Sequence, residues 1–235
     1  MWADDPPGNC STSGALGYRC RVGRLIVIEG LDGAGKRTLA EGLEAALTGR
    51  GHSVARAAFP RYDADVHAEL VAEALRGGHG DLGDSVYGMA VLYALDRRAA
   101  ADALRADVQA HDVVLLDRYV ASNAAYGAAR LHQGAQGDFV AWVEQLEIER
   151  FGVPRPDLQL LLQVPIEVAA SRAEHRERTE SDRRRDNFES DSSLQERCGE
   201  VYAELASKSW WSPWRVVDGV SRVDFADLAD SVLTA

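Results

Sequence analysis

Three closely spaced glycines, Gly30, Gly33 and Gly35, follow an apolar run at residues 24–29. Glycine adopts backbone conformations that other residues avoid, so successive N–H groups can turn towards one anion. Lys36 adds a positive charge suited to a β- or γ-phosphate, and a helix beginning there adds the positive end of its dipole. The pattern predicts a site for the phosphates of a nucleoside triphosphate. The predicted loop comprises Gly30, Leu31, Asp32, Gly33, Ala34, Gly35, Lys36, Arg37 and Thr38.

The residue after the lysine departs from the general phosphate-loop pattern. A serine or threonine usually follows the lysine and ligates Mg²⁺, but here Arg37 stands in that place and Thr38 comes one residue later. We therefore expect the metal to be held differently. The alternative, a glycine-rich turn without a ligand, is disfavoured because a strand precedes the loop and a helix follows it.

Two further apolar runs end in polar residues. Asp117 and Arg118 follow the run at 113–116, where a carboxylate can orient Mg²⁺ or its waters and a guanidinium can grip a phosphate. A surface salt bridge is the alternative. The run ending at residue 58 leads into Phe59-Pro60, whose peptide bond could be cis, although a trans bond is more frequent and therefore favoured.

Apolar runs alternate with amphipathic segments, which is typical of a doubly wound α/β fold with a mainly parallel sheet. The 235 residues, 46% of them hydrophobic, suffice for one domain, which we place at 24–235 after a disordered leader at 1–23. Five strands are predicted at 24–29, 53–58, 112–117, 157–164 and 214–217. Helices are predicted at 36–50, 65–76, 84–106, 121–133, 138–151, 165–175, 190–207 and 224–234.

Composition narrows the function classes. A formal net charge of −11 disfavours a general polynucleotide surface, which needs basic patches. No apolar run approaches the ~20 residues of a membrane span, and the N-terminus lacks the pattern of a signal peptide, so we expect a cytoplasmic protein. The three widely spaced cysteines suit reduced thiols rather than a disulfide framework.

The ordered motifs resemble those of the thymidylate kinase family, and most closely the actinobacterial, mycobacterial type. They are the segments 29–38, with its Gly-Ala-Gly-Lys-Arg-Thr, then 59–62, 117–126 and 185–189. The resemblance implies the P-loop fold of nucleoside monophosphate kinases and transfer of the ATP γ-phosphoryl group to dTMP with Mg²⁺. It also implies a homodimer. Another deoxynucleotide or deoxynucleoside kinase, or a P-loop NTPase acting on a partner, are the alternatives.

The resemblance also implies residue roles. Tyr93 would stack on the thymine ring, Arg97 would donate to its O4, Asn123 would accept its N3–H, and Tyr126 would crowd the sugar 2′ position. The implied dTMP-binding residues are Phe59, Tyr62, Tyr93, Arg97, Arg118, Asn123, Tyr126 and Asp186. The implied metal ligands are Asp32, Asp186 and Glu189, and the implied catalytic residues are Lys36, Asp32, Arg118 and Arg176.

The densest basic stretch, at about 171–188, resembles the lid of this family. Its Arg172, Arg176 and Arg183 would close over ATP, neutralise the transferring phosphoryl group and exclude water. Spacing by itself leaves other interpretations open. The lid could be a charged, solvated helix, and Tyr93 with Arg97 could be a packing contact on one helical face.

Overall fold

Five parallel strands form the centre of the protein in the computed structural model, which describes residues 23–62, 64–179 and 191–235. The strand order is β2-β3-β1-β4-β5, and every pairing is parallel. The predicted α/β architecture with a five-stranded parallel sheet is confirmed. The strands are β1 (Arg24–Glu29), β2 (Val54–Ala58), β3 (Val113–Asp117), β4 (Leu158–Gln163) and β5 (Trp214–Asp218).

Strand β1 lies in the middle of the sheet, as suits its four central residues at 25–28, which are all apolar and buried. It pairs with β3 in a register that sets Ile28 beside Asp117. The N–H of Arg118 continues this contact by donating to the Ile28 carbonyl at 2.9 Å. The loop after β1 and the residues after β3 therefore leave the sheet at the same edge.

Helices cover both faces of the sheet. Several begin at side chains that cap their free N–H groups, such as Asp65, which accepts from His67 N at 2.9 Å. The α-helices are α1 (Lys36–Thr48), α2 (Val66–Leu75), α3 (Val86–Ala110), α4 (Val120–Arg130), α5 (Asp138–Val143), α6 (Ile166–Thr179), α7 (Ser192–Ser207) and α8 (Phe225–Thr234). A 3₁₀ turn spans Leu82–Asp84, and a π-helix spans Glu144–Arg150.

Besides shifts of up to four residues at helix ends, the structure differs from the sequence-based expectations within one helix and at one peptide bond. The helix predicted at 138–151 changes from α to π at Glu144, a change that the apolar spacing does not report. The Phe59–Pro60 bond is cis, so the favoured trans interpretation was wrong. The intrinsic preference of an X–Pro bond for trans is only about 1 kcal/mol, so the packing of the buried Phe59 can outweigh it.

The boundary of the predicted leader is also shifted. Gly23 is buried, and its N–H donates to the Val108 carbonyl at 2.8 Å, so this residue belongs to the folded domain. Residues 1–22, the rest of that leader, lie outside the described residues. Within the described ranges, no helix combines the length and apolar character needed to cross a membrane.

Candidate active site

The phosphate loop between β1 and α1 depends on glycine at defined positions. Gly30, Gly33 and Gly35 all have positive φ, at 143°, 77° and 102°. A Cβ on Gly33 would lie 2.1 Å from the Ala169 carbonyl oxygen, and one on Gly30 would lie 2.6 Å from that of Leu162. The loop therefore packs closely against the end of β4 and the start of α6, where no side chain fits.

Lys36 begins α1 and is only 7% exposed. Its Nζ donates to the carbonyl oxygens of Gly30 at 3.1 Å and Leu31 at 3.0 Å, so the ammonium group folds back onto the loop. Burial and the nearby Arg118 charge lower the pKa of Lys36 to about 8, against the opposite effect of Asp32. Phosphate oxygens would be stronger partners for this ammonium group than two neutral carbonyls.

Asp32, in the loop, contacts two residues from beyond β3. Its Oδ1 accepts from Arg118 Nη2 at 2.5 Å, and its Oδ2 accepts from the Tyr126 hydroxyl at 2.7 Å. Burial raises the pKa of Asp32, but the Arg118 and Lys36 charges outweigh burial and hold it well below its ordinary value, so the carboxylate is ionised at neutral pH. Asp32, Lys36, Arg118 and Tyr126 are called the phosphate cluster below.

Arg118 has φ 66°, an uncommon backbone conformation for a residue other than glycine. Its guanidinium lies 5.3 Å from the centre of the Tyr126 ring, and its Nη1 donates to Ser122 Oγ at 3.1 Å. Such strained residues are concentrated at functional sites. Here the conformation brings a cation from the end of β3 to the loop after β1.

A buried glutamate, Glu29, binds residues that adjoin Arg118 and Tyr126. Glu29, at the end of β1, accepts from Tyr119 N at 2.9 Å, from Ser122 Oγ at 2.6 Å and from the Tyr202 hydroxyl at 3.1 Å. Burial raises the pKa of Glu29, while the Ser122 hydrogen bond and the Arg118 charge lower it. Sequence reasoning assigned no role to Glu29, Ser122 or Tyr202. The available clue was a charged residue directly after the apolar run at 25–28.

Arg97, Asn123 and Glu147 meet in a second group, called the buried triad below. Arg97 donates to Glu147 through Nε at 2.5 Å and through Nη2 at 2.7 Å. Asn123 Nδ2 donates to the same carboxylate at 2.7 Å and to the Ala90 carbonyl at 3.1 Å. The structure thus brings together the two predicted base-reading residues, and it joins them through Glu147, which sequence reasoning missed.

The other predicted acceptor-site residues lie around these two groups. Phe59 is buried, with its ring 5.6 Å from that of Tyr119. Tyr62 is 43% exposed, and Tyr93 is half-buried against a small apolar cluster between α2 and α3. Arg61, which lies between Phe59 and Tyr62 in sequence, is held by Asp96. The Asp96 carboxylate accepts from the Arg61 backbone N at 2.9 Å and from its Nε at 2.7 Å.

The oxygen donors at the edge of the sheet suit a hard cation such as Mg²⁺. Asp117 Oδ1 is buried without a hydrogen-bond partner among the described residues, and Asp32 is ionised nearby. Thr38 and Arg37 are both exposed, and Arg37 Nε donates to Glu41 at 2.9 Å. In the described part of the chain, no cluster of three or more His, Cys, Asp or Glu forms a ready metal site.

The predicted lid is only partly described. Arg172 Nη1 donates to the Ala34 carbonyl of the phosphate loop at 3.0 Å, so this arginine lies against the loop. Arg183, Asp186 and Glu189, together with the side chain of Arg176, lie outside the described residues.

Comparison with known proteins identifies the family. The sequence model of the family described as Thymidylate kinase matches residues 28–216. A thymidylate kinase of Mycobacterium tuberculosis is 54% identical over 193 residues, covering 82% of this chain and 90% of the relative. A thymidylate kinase of Xanthomonas oryzae is 35% identical over 228 residues (90% and 80%), and a probable thymidylate kinase of Thermococcus kodakarensis is 32% identical over 187 (77% and 83%). The predicted resemblance and P-loop kinase fold are confirmed, and the chain belongs to the thymidylate kinase family.

Proposed function

We propose that this chain transfers the γ-phosphoryl group of ATP to the 5′-phosphate of dTMP, giving ADP and dTDP. The observation that carries this assignment is the 2.5 Å contact between Arg118 and Asp32 of the phosphate loop. It sets a second cation beside the loop that would hold ATP, as a reaction between two phosphate groups requires. A kinase for a neutral hydroxyl would instead need a carboxylate that acts as a base, and the charges of Arg118 and Lys36 make Asp32 a poor base because they hold its pKa well below the ordinary value.

On the donor side, the N–H groups of the loop and the start of α1 would bind the phosphates of ATP. Lys36 would leave its two carbonyl partners for the β- and γ-phosphate oxygens. Arg172, on Ala34, would flank the same loop, and Arg176 and Arg183 would follow from the resemblance to the family lid. These cations would neutralise charge as it develops on the transferring group.

Mg²⁺ fits the oxygen donors present. Asp32, the unpartnered oxygen of Asp117 and, by resemblance, Asp186 and Glu189 would hold the ion or its waters. When bound, the ion supplies charge neutralisation on the phosphate oxygens. Catalysis by the protein would then rest on positioning, because the acceptor phosphate is already an anion at neutral pH.

On the acceptor side, Arg118 and Tyr62 would hold the phosphate of dTMP beside the loop. Phe59 and Tyr93 would bound the pocket, with the Tyr93 ring against thymine. Arg97 and Asn123 would read the pyrimidine edge. Tyr126, which is fixed on Asp32, would crowd the 2′ position and disfavour ribonucleotides. The resemblance further supports a cytoplasmic homodimer, for which analytical ultracentrifugation of the purified chain is the test.

The proposed reaction is tested by following ADP formation from MgATP with and without dTMP and identifying the products by ³¹P NMR. We expect ADP and dTDP in equal amounts, and little ADP without an acceptor. Equal ADP formation with and without dTMP would contradict the proposal and favour an NTPase that acts on a partner. Omission of Mg²⁺ should abolish turnover.

A further inference from the structure

We infer that Glu147 sets the hydrogen-bond polarity of the base pocket, so that the pocket accepts a pyrimidine with an N3–H and a 4-carbonyl and rejects cytosine. Glu147 is in this view a positioning residue that acts through Arg97 and Asn123. The inference rests on the proposed function, because it assumes that these two residues meet the base of the acceptor.

The first step concerns the carboxylate. Glu147 lies in the π-helix between α5 and β4, and it is completely buried. Its two oxygens accept three N–H groups, two from Arg97 and one from Asn123. An ionised carboxylate only accepts hydrogen bonds, so every group facing it must present a donor.

The second step concerns the Asn123 amide. Both partners of its Nδ2, the Glu147 carboxylate and the Ala90 carbonyl, are pure acceptors. A rotation of the amide by 180° would set Oδ1 against both of them, so chemistry fixes the orientation. Within the described residues, no group donates to Asn123 Oδ1, which therefore remains an acceptor for the ligand.

The third step concerns Arg97. Its Nε and Nη2 are committed to Glu147, and the charge of that carboxylate raises the pKa of Arg97 against the effect of burial. Nη1 has no hydrogen-bond partner in the part of the chain that the structure describes. The triad thus offers one donor and one acceptor. Thymine and uracil present O4 and N3–H to such a pair, whereas cytosine presents an amino group and a bare N3.

Glutamine cannot reproduce the two acceptor oxygens of this carboxylate. Its side chain has one oxygen and one NH₂ group, so in either orientation the NH₂ faces at least one N–H of Arg97 or Asn123. One of the two base-reading side chains must then lose its fixed orientation. Discrimination against cytosine should fall, while discrimination between thymine and uracil, which share the same edge, should not.

The test is the ratio of kcat/KM for dTMP to that for dCMP in wild type and in Glu147→Gln, with dUMP as a third acceptor. We expect the dTMP/dCMP ratio to fall about 10- to 100-fold and the dTMP/dUMP ratio to stay within twofold. Asp96→Asn is the matched control, because Asp96 is another buried carboxylate on an arginine. It should lower activity on all three acceptors alike.

A second pair of variants keeps the test valid if the single variant unfolds. Removing one member of a buried ion pair is strongly destabilising, whereas replacing both members is often tolerated. Arg97→Met/Glu147→Met is therefore compared with Arg97→Met/Glu147→Gln, so that neither variant leaves a buried charge unpaired. Arg97→Met/Glu147→Met should show a dTMP/dCMP ratio at least about threefold below that of Arg97→Met/Glu147→Gln, because only glutamine keeps an oxygen that can accept from Asn123 Nδ2.

The outcomes separate this inference from the proposed function. If wild type shows no preference for dTMP over dCMP, the proposed base recognition fails. If wild type prefers dTMP, but Glu147→Gln keeps the wild-type dTMP/dCMP ratio and Arg97→Met/Glu147→Met keeps the ratio of Arg97→Met/Glu147→Gln, the role of Glu147 is overturned while the kinase assignment stands.

Discussion

The phosphate cluster and the buried triad both contain an arginine paired with a carboxylate, but the two pairs differ in exposure. The side chains of Arg118 and Asp32 are 16% and 22% exposed, whereas those of Arg97 and Glu147 are 3% and 0% exposed. A partly open pair can exchange partners when a phosphate arrives. A fully buried pair is held in place, because separating it would leave a charge without compensation.

This difference indicates a division of labour. The phosphate cluster holds its cations on groups that a substrate can replace, such as the two carbonyls bound by Lys36. The buried triad instead presents fixed donors and acceptors to the base. Changes in the first region should therefore affect acceptors with different bases equally, and changes in the second should alter the choice among bases.

The largest effect is expected for Arg118→Met. Loss of the guanidinium removes the cation between the acceptor and the phosphate loop, so kcat/KM should fall about 10³-fold for dTMP, dUMP and dCMP alike. Steady-state kinetics with the three acceptors measures this. Arg215→Met, which removes a half-buried arginine paired with Asp227 away from the site, is the control and should leave activity unchanged. A changed dTMP/dCMP ratio in Arg118→Met would break the division of labour.

A smaller and selective loss is expected for Asn123→Ala. Without the amide, thymine N3–H loses its acceptor, and kcat/KM for dTMP should fall about 10- to 100-fold. The value for dCMP should fall less, because cytosine N3 never used that acceptor. Kinetics with both acceptors decides the question. An equal loss for dTMP and dCMP would show that Asn123 only supports the fold.

The affinity for ATP should fall about tenfold for each pH unit above the pKa of Lys36. That pKa, about 8 in the folded, ligand-free chain, lies below the ordinary value of 10.5. Above pH 8 the ammonium group is lost, so ATP affinity should fall as the pH rises, which calorimetric titration measures. Lys36→Met should bind ATP weakly and without this slope.

The lowered pKa of Lys36 should also affect stability, and this effect should increase with pH whereas the affinity for ATP decreases. Between pH 8 and 10.5 the unfolded chain retains the Lys36 proton while the folded chain releases it. The contribution of Lys36 to the free energy of unfolding should therefore rise with pH in this window. Urea unfolding of wild type and Lys36→Met at several pH values gives the difference. A contribution that falls with pH would contradict the lowered pKa.

The smallest effect is expected for Tyr126→Phe. This change removes the 2.7 Å hydrogen bond to Asp32 but keeps the ring. We expect kcat/KM for dTMP to fall about 2- to 10-fold, with the preference for deoxyribose over ribose retained. Comparison of dTMP with its ribose counterpart tests this. Loss of that preference would mean that the hydroxyl, and not the ring, meets the sugar.

Most of the phosphate cluster was predictable from sequence because Asp32 and Lys36 follow β1 and Arg118 follows β3, whereas Tyr126, inside α4, was identified by family resemblance. Asp32 and Arg118 are 86 residues apart, but each follows an apolar strand. Once the two strands are read as parallel, their carboxyl ends must lie at one edge of the sheet. The predicted sheet and loop therefore sufficed to bring these two residues close together.

The buried triad was only half predictable. Arg97 and Asn123 were identified by family resemblance, but their shared partner could have been any of 37 acidic residues. Glu147 lies 50 residues from Arg97, in a segment whose pattern indicated an ordinary amphipathic helix. Its burial depends on the π-helical turn and on tertiary packing, which spacing along the chain does not reveal.

The most direct test of base selection by the buried triad is a comparison of kcat/KM values of the wild-type chain for dTMP, dUMP and dCMP with MgATP. We predict that the two acceptors with an N3–H and a 4-carbonyl are phosphorylated and that dCMP is used at least about 100-fold less efficiently. Comparable values for dTMP and dCMP would contradict the proposed reading of the base by Arg97 and Asn123.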